Sequence, residues 1–140
     1  MNRDSNEVLL RDSDGNLYEG LSSNFFVVDA NGTVITAPED FVLNGTIRRI
    51  AIQCCVKLGI PVAYELPNIA NIDTWQGAFL TSTSRLLLPI DKFHILQYDS
   101  NGNPSDPPCY EDHIQSNSPV VFMLKQAVAQ QLDDMATPIL

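Results

Sequence analysis

The first 37 residues constrain the fold most, because they consist of short apolar runs separated by glycine turns. Residues 7–12, EVLLRD, alternate in polarity and lead into the turn DSDGN, after which LYEG resumes as a strand. SNFFVVD then runs into a second tight turn, ANG, and TVITA returns at residues 33–37. Asp-Gly and Asn-Gly turns between such runs are typical of β-hairpins. Two successive hairpins predict an antiparallel sheet.

The segment after the second hairpin changes to a helical period. From Gly45 the sequence TIRRIAIQCCVKLG repeats apolar residues at a spacing of about 3.6, as one face of a helix requires. Gly59 is expected to cap this helix, and Pro61 follows as a stop. The residues predicted to share the buried face are Ile47, Ile50, Ala51, Cys54, Cys55 and Leu58.

The second half of the chain returns to short strands and ends in another helix. PVAYELP, GAFLTS and RLLLPI are predicted strands, NIANIDTW a short helix or turn, and FHILQYD a continuation of the sheet. SNGNPSDPP (100–108) has the composition of a loop. SPVVFMLKQAVAQQLDD predicts a C-terminal helix with Pro119 near its first turn. We therefore predict one mixed α/β domain over residues 1–140, with a largely antiparallel sheet and two helices.

Composition excludes several classes of function. The 140 residues, 44% of them hydrophobic, suffice for one core. No apolar run is long enough to span a bilayer, and MNRDSNEV lacks the apolar centre of a signal peptide. A net charge of −9 disfavours nucleic acid and anionic membranes as partners. We expect a cytoplasmic protein without either partner, with an organellar location as the alternative.

Cysteine and histidine usage gives no indication of a disulfide framework or a metal site. Cys54 and Cys55 fall on the apolar helical face, where small core residues are expected, and Cys109 leaves an odd total. His94 and His113 are far apart and lack neighbours at zinc-ligand spacing. We predict no metal.

Three polar clusters fall at junctions between predicted elements, where side chains and backbone can converge on a ligand. Glu19 and residues 22–24 follow a strand, residues 44–47 precede the long helix, and residues 81–84 lie between two buried strands. Gly-Thr at a helix start leaves backbone N–H groups free for an anion. Taken singly, each cluster has a structural explanation: a solvated turn, a plain capping turn and a β-bulge.

Four motifs at a characteristic order and spacing go beyond the single clusters. They are EGLSSNFFVV, TA, VLNGTIRR and GAFLTSTSRLLLPI. Together they resemble the C-terminal half of class IV (fold type IV) pyridoxal-phosphate enzymes, which include branched-chain and D-amino-acid aminotransferases and aminodeoxychorismate lyase. The resemblance covers roughly residues 7–138. It implies a pseudo-barrel sheet, pyridoxal 5′-phosphate as cofactor, and amino-group transfer between an amino acid and a 2-oxo acid.

The resemblance assigns two residues to the ring of the cofactor and two to the turn that lines its cavity. Glu19 matches the acidic residue that pairs with the protonated pyridine nitrogen, which keeps the ring electron-withdrawing. Leu43 matches an apolar residue packed on one ring face. Ser23 and Asn24 match turn residues that line the cofactor cavity.

Further matches concern the phosphate and the substrate. Thr46 and Ile47, preceded by Gly45, match the backbone N–H pair that holds the phosphate at the helix start. Thr83 matches a hydroxyl that adds a phosphate contact. Ser84 matches a position whose backbone N–H lies near the substrate carboxylate in the aminotransferases.

Two departures from the family pattern are small. The usual Ile-Thr-Arg at the helix start is Thr46-Ile47-Arg48 here, so a side-chain contact from position 47 is lost while backbone binding remains. The usual Thr-Pro is Thr36-Ala37-Pro38, a slip of one residue in a loop.

The third departure concerns catalysis. In the family, the lysine that forms the Schiff base lies a few tens of residues before the glutamate, yet no lysine precedes Glu19 here. Lys57 and Lys92 match no family lysine, and the family's N-terminal domain, which supplies a phosphate-binding arginine, has no counterpart in this sequence. We therefore expect the cofactor-binding half of such an enzyme, without a catalytic residue and inactive alone.

Three other interpretations stay open. The chain could be a non-catalytic remnant that serves as a binding or scaffold module, or belong to a lyase-type parent. It could also be an unrelated α/β domain with coincidental motifs, in which case Glu19, Thr46 and Thr83 would lie far apart. If it is a half enzyme, surfaces that face the other domain and a dimer partner would be exposed, so we expect a homo-oligomer.

Overall fold

The computed structural model of the chain describes residues 7–136 and has the predicted mixed α/β fold with a largely antiparallel sheet. Two 3₁₀ helices, Glu39–Phe41 and Ile69–Thr74, accompany the regular elements. The strands are β1 (Leu9–Arg11), β2 (Leu17–Gly20), β3 (Asn24–Val28), β4 (Val34–Thr36), β5 (Val62–Tyr64), β6 (Gly77–Ser82), β7 (Leu86–Pro89), β8 (Lys92–Leu96) and β9 (Tyr110–Ile114), and the helices are α1 (Thr46–Leu58) and α2 (Pro119–Met135).

Strand β3 is the centre of the seven-stranded main sheet. It pairs along its whole length with β6, from Asn24 opposite Thr81 to Val28 opposite Gly77. Its other edge is shared, because β2 pairs with it at Asn24 whereas β4 pairs with it from Phe26 to Val28. The sheet therefore forks next to Asn24, between β2 and β4.

Both faces of β3 are buried, since successive side chains point to opposite sides of a strand. Phe26 and Val28 pack in the core that includes α1 and α2, and Phe26 stacks on Phe79 at 4.7 Å between ring centroids. Phe25 and Val27 pack on the other side in a second cluster with Trp75. The sheet thus separates a helical layer from an aromatic layer.

The predicted turns share one construction, which occurs a third time in the loop at residues 99–103. In each, an aspartate Oδ1 accepts the backbone N–H groups two and four residues later, at 2.9–3.0 Å. A glycine at the fourth position adopts a left-handed φ, between 81° and 87°. The aspartates are Asp12, Asp29 and Asp99, with glycines Gly15, Gly32 and Gly102. The first two confirm the predicted hairpins.

Strands β4 and β5 run parallel, joined by α1 as the crossover helix that such a pair requires. The prediction for FHILQYD was wrong, because β8 pairs with β9 in a separate two-stranded ribbon instead of continuing the main sheet. Strand β9, YEDHI, was not predicted at all. Its residues are mostly exposed, so it lacks the alternation of apolar residues that identifies a half-buried strand.

Helix α1 ends as predicted, at Gly59 with φ 72°. Its buried face matches the prediction except for Leu58, which is 44% exposed, and for Arg48, which is buried instead. Burial, followed by the neighbouring Cys54, raises the pKa of Cys55 to about 12. Neither helix combines the length and hydropathy needed to cross a membrane, and no other helix among residues 7–136 does so.

Candidate functional site

A cavity of about 240 Å³ opens at the fork of the sheet. Three segments line it: the turn at residues 19–24, residues 43–48 at the start of α1 apart from Asn44, and residues 81–83 at the end of β6. The structure therefore brings together all three polar clusters found in the sequence. The lining includes Glu19, Ser23, Asn24, Leu43, Gly45, Thr46, Ile47 and Thr83.

Ser84 is the one proposed site residue that lies outside this lining. It is exposed in the turn between β6 and β7, with its Oγ 3.4 Å from that of Ser82. The Ser82 hydroxyl accepts the Arg85 N–H at 3.1 Å, and the turn ends at Leu86 with a left-handed φ of 60°. A residue with a side chain rarely adopts that conformation, so the turn is strained where it borders the cavity rim.

Glu19 and Asn24 form a small network with the loop before α1. The two residues are directly paired across β2 and β3. The Asn24 Nδ2 donates to the Leu43 carbonyl at 2.7 Å and lies 3.5 Å from Glu19 Oε2. The Leu43 N–H donates to the same Glu19 oxygen at 3.2 Å. Among the described residues, Glu19 Oε1 makes no hydrogen bond, so one carboxylate oxygen stays available to the cavity.

The start of α1 presents free backbone donors to the cavity. Gly45 is the N-cap, in an extended conformation and without a side-chain cap, and the first intrahelical bond is that from Arg49 N–H to Gly45 O at 3.1 Å. The N–H groups of Thr46, Ile47 and Arg48 therefore have no acceptor within the helix. A Cβ at position 45 would lie 2.7 Å from Asn24 Oδ1, so only glycine fits. This arrangement favours an anion, as helix N-termini do in general.

Arg48 lies directly behind these donors and is completely buried. Its Nη2 donates to the Ala37 carbonyl at 2.6 Å and its Nη1 to Asn44 Oδ1 at 3.2 Å, while Glu39 Oε1 lies 4.0 Å away. Burial lowers its pKa, but a guanidinium stays protonated at neutral pH. Arg48 thus fastens the loop before α1 and adds a fixed positive charge next to the cavity.

Sequence reasoning missed Arg48 because arginine is rarely buried. A signal was present, since Arg48 precedes Ala51 and Cys55 by three and seven residues, the spacing of one helix face.

Thr81 contributes a buried hydroxyl to the cavity wall. The residue is 1% exposed, and among the described residues its Oγ1 has no hydrogen-bond partner. It is paired directly opposite Asn24, so both side chains lie on the same face of the sheet. Buried hydroxyl groups are nearly always paired, so this one is available to a ligand or a water molecule that enters the cavity.

The fold around this cavity is that of solved aminotransferase and lyase structures. A 4-amino-4-deoxychorismate lyase from Pseudomonas aeruginosa superposes with a TM-score of 0.72 at 19% identity, over 95% of this chain and 43% of that one. An aminotransferase from Brucella abortus bound to the cofactor PLP gives a TM-score of 0.66 at 21% identity, over 89% and 39% of the two chains.

The sequence comparisons agree with this. A "probable branched-chain-amino-acid aminotransferase" from Rickettsia felis is 30% identical over 89 residues, 64% of this chain and 30% of the relative. The family model of class IV amino-transferases matches residues 1–93. The chain belongs to the class IV amino-transferase family. It spans less than half the length of each of these relatives.

Proposed function

We propose that this chain is the C-terminal cofactor-binding half of a class IV aminotransferase, and that its cavity holds pyridoxal 5′-phosphate without a covalent bond. The observation that carries the proposal is the convergence of the Glu19 carboxylate and the free N–H groups of Thr46 and Ile47 on one cavity. An acidic partner and an anion cradle are what a cationic ring with a phosphate requires. Family membership and the PLP-bound relative support the same cofactor.

The phosphate fits the start of α1. Its oxygens would accept the N–H groups of Thr46 and Ile47, aided by the helix dipole. Thr83, at the exposed rim of the cavity, would add its hydroxyl. The buried Arg48 guanidinium would contribute positive charge next to the phosphate.

The ring fits the other end of the cavity. Glu19 would pair with the protonated pyridine nitrogen through its free Oε1. Leu43 is 79% exposed and offers an apolar surface to one ring face, and the Thr81 hydroxyl would find its missing partner in the ligand. When bound, the cofactor supplies an electron sink for amino-group transfer between an amino acid and a 2-oxo acid.

Two of the three lysines of this chain, Lys57 and Lys92, are engaged with other side chains. Lys57 Nζ donates to Gln131 Oε1 at 2.7 Å, and Lys92 Nζ lies 3.7 Å from Asp112 Oδ2. Neither residue lines the cavity, and nor does the third lysine, Lys125, which lies on α2. We therefore propose that the chain alone binds the cofactor but does not catalyse transamination, because no lysine among residues 7–136 lines the cavity.

The exposed apolar side chains beside the cavity lead to a proposal on assembly. Leu21, Phe41 and Leu43 are 68%, 55% and 79% exposed. Such groups usually meet a partner, so we propose that the chain self-associates through this side. Sedimentation velocity should show dimers or larger species, and a monodisperse monomer at high concentration would contradict the proposal.

The test of cofactor binding is a titration with pyridoxal 5′-phosphate at neutral pH. We expect weak saturable binding that Thr83→Val weakens roughly tenfold, the size of one charge-assisted hydrogen bond. Thr33→Val, in the β3–β4 turn away from the cavity, is the matched control and should bind normally. Lys57→Ala and Lys92→Ala should bind normally as well.

Two results would redirect the proposal. No binding at millimolar ligand would favour a non-catalytic remnant acting as a binding or scaffold module. An aldehyde-to-lysine adduct that disappears in Lys57→Ala or Lys92→Ala would contradict non-covalent binding. Whether the reaction is a transfer or a lyase reaction is decided by assaying the chain with family substrates after joining it to the N-terminal half of a family member.

A further inference from the structure

Glu7 lies behind the cavity turn and gathers four hydrogen-bond donors on one carboxylate. Its Oε1 accepts the N–H groups of Val8 at 3.0 Å and Leu21 at 3.3 Å. Its Oε2 accepts the hydroxyl groups of Ser22 at 3.1 Å and Ser23 at 2.9 Å. Three of these donors belong to the turn that connects Glu19 with Asn24, so one side chain holds most of the polar groups of that turn.

The turn is closely packed against this carboxylate. A Cβ at Gly20 would collide with Ser23 Oγ and lie 2.8 Å from Glu7 Cδ. The Gly20 N–H donates to the Ser23 carbonyl at 2.9 Å, and the Leu21 N–H also lies 3.2 Å from the Val8 carbonyl. The backbone between Glu19 and Asn24 is therefore held by these two backbone bonds and by the Glu7 carboxylate.

The Glu7 carboxylate can accept all four hydrogen bonds only when it is ionised. Burial by itself would raise the pKa of Glu7, but the hydrogen bonds from Val8, Ser23 and Ser22 outweigh burial and lower it. An ionised carboxylate accepts all four bonds, whereas a protonated or amide group would turn one donor toward the hydroxyl groups.

We propose that Glu7 is a positioning residue of the cofactor cavity: its carboxylate sets the Gly20–Ser23 turn so that Glu19, Ser23 and Asn24 face the ligand. Glu7 does not line the cavity and acts only through the turn. The predicted effect of Glu7 on ligand affinity rests on the proposed function. Its effect on the conformation of the turn rests only on the hydrogen bonds that Glu7 accepts.

The first experiment measures pyridoxal 5′-phosphate affinity and the thermal midpoint of the same variants at neutral pH. Glu7→Gln keeps the size and should weaken binding about 3- to 10-fold, since some of the four bonds persist. Glu7→Ala should weaken it further. Glu65→Gln removes a charge from an exposed glutamate far from the turn and serves as the matched control, with unchanged affinity. Unchanged affinity in Glu7→Ala would overturn the proposal.

A second experiment needs no ligand and separates the two proposals. In ¹⁵N NMR, the amides of Leu21 and Ser22 should titrate in the wild type with a midpoint below the ordinary glutamate value of 4.5, and the Asn24 side-chain amide should follow. Glu7→Gln should abolish this titration and shift the Asn24 signal at pH 7. Loss of fold would instead move signals throughout the protein.

The outcomes are distinct. If Glu7→Gln shifts the Asn24 signal but the wild type binds no ligand, the positioning role is supported and the proposed function is contradicted. If the wild type binds the ligand but Glu7→Gln does not shift the Asn24 signal, the positioning role is overturned and the proposed function is retained.

Discussion

The cavity and the β8–β9 ribbon both concentrate polar side chains, but they differ in how those groups are satisfied. In the ribbon, titratable groups pair with one another near the surface: His94 Nδ1 lies 2.5 Å and Lys92 Nζ 3.7 Å from the Asp112 carboxylate. His113 lies between Asp73 and Glu111, at 3.0 and 3.3 Å. In the cavity, by contrast, backbone donors and a buried hydroxyl face open space.

This difference indicates that unpaired polar atoms mark a ligand site better than paired titratable groups do. A dense cluster of titratable groups is the more conspicuous feature, yet mutual pairing leaves it little capacity for a ligand. The described residues contain no group of His, Cys, Asp or Glu that could hold a metal ion. The cavity has few charges, but among the described residues the Thr81 hydroxyl is unpaired and the start of α1 has no side-chain cap.

The largest effect is expected in the core that supports the cavity. Phe26→Ala removes a fully buried ring stacked on Phe79 and should lower the free energy of unfolding by about 3–5 kcal/mol. Urea unfolding measures this. Phe122→Ala on α2, where the side chain is 50% exposed, is the control and should cost far less. Equal losses would show that the helical layer is not packed as described.

Arg48 and Arg49 offer an adjacent pair for the next prediction. Arg48→Leu removes the bonds to Ala37 and Asn44 that hold the loop before α1, and should cost about 2–3 kcal/mol, as for hydrogen bonds to a buried charge. It should also weaken pyridoxal 5′-phosphate binding. Arg49→Leu alters an exposed side chain and should change stability by no more than about 0.5 kcal/mol. If both variants behave alike, Arg48 is not the anchor of the loop.

The ribbon should respond weakly to the loss of an ion pair. Asp112→Asn removes the partner of His94 and Lys92, and because these contacts are solvent-exposed the midpoint of urea unfolding should hardly change. The hydrogen bond from His94 lowers the pKa of Asp112, so this contribution is present above the ordinary value of 3.8 and is lost as pH falls below it. Ligand affinity should stay unchanged. A loss of affinity as large as that of Thr83→Val would place the ribbon in the site.

The last prediction concerns the reactivity of the cysteines, and its substitution, at the exposed Cys109, is expected to have the smallest effect on the protein. At mildly alkaline pH, an aromatic disulfide reagent should label the exposed Cys109 quickly, and Cys109→Ser should remove that signal. Cys55 should not react in the native protein, because burial raises its pKa to about 12. All three thiols should react after unfolding. Fast native labelling of Cys109→Ser would show that α1 opens readily.

Local patterns explain why much of the fold could be predicted from the sequence. The Asp-x-x-Gly turns satisfy their own backbone within five residues, and α1 has both an apolar period and a Gly59 cap. The site clusters were found because each lies at the end of a regular element. What failed depends on long-range contacts: Glu7 meets Ser23 from 16 residues away, and β9 exists only through its pairing with β8. No local signal distinguishes such residues from ordinary surface.

The most direct test of the account is a ¹⁵N NMR titration of the chain with pyridoxal 5′-phosphate, following every backbone amide. The account predicts that the largest shifts occur at Thr46, Ile47 and Thr83, with smaller ones at Glu19 and Asn24 and none in the β8–β9 ribbon. Intact mass after reduction with borohydride should be unchanged. Shifts centred on the ribbon, or a reducible adduct on Lys57 or Lys92, would contradict the claim that the fork of the sheet is a non-covalent cofactor site.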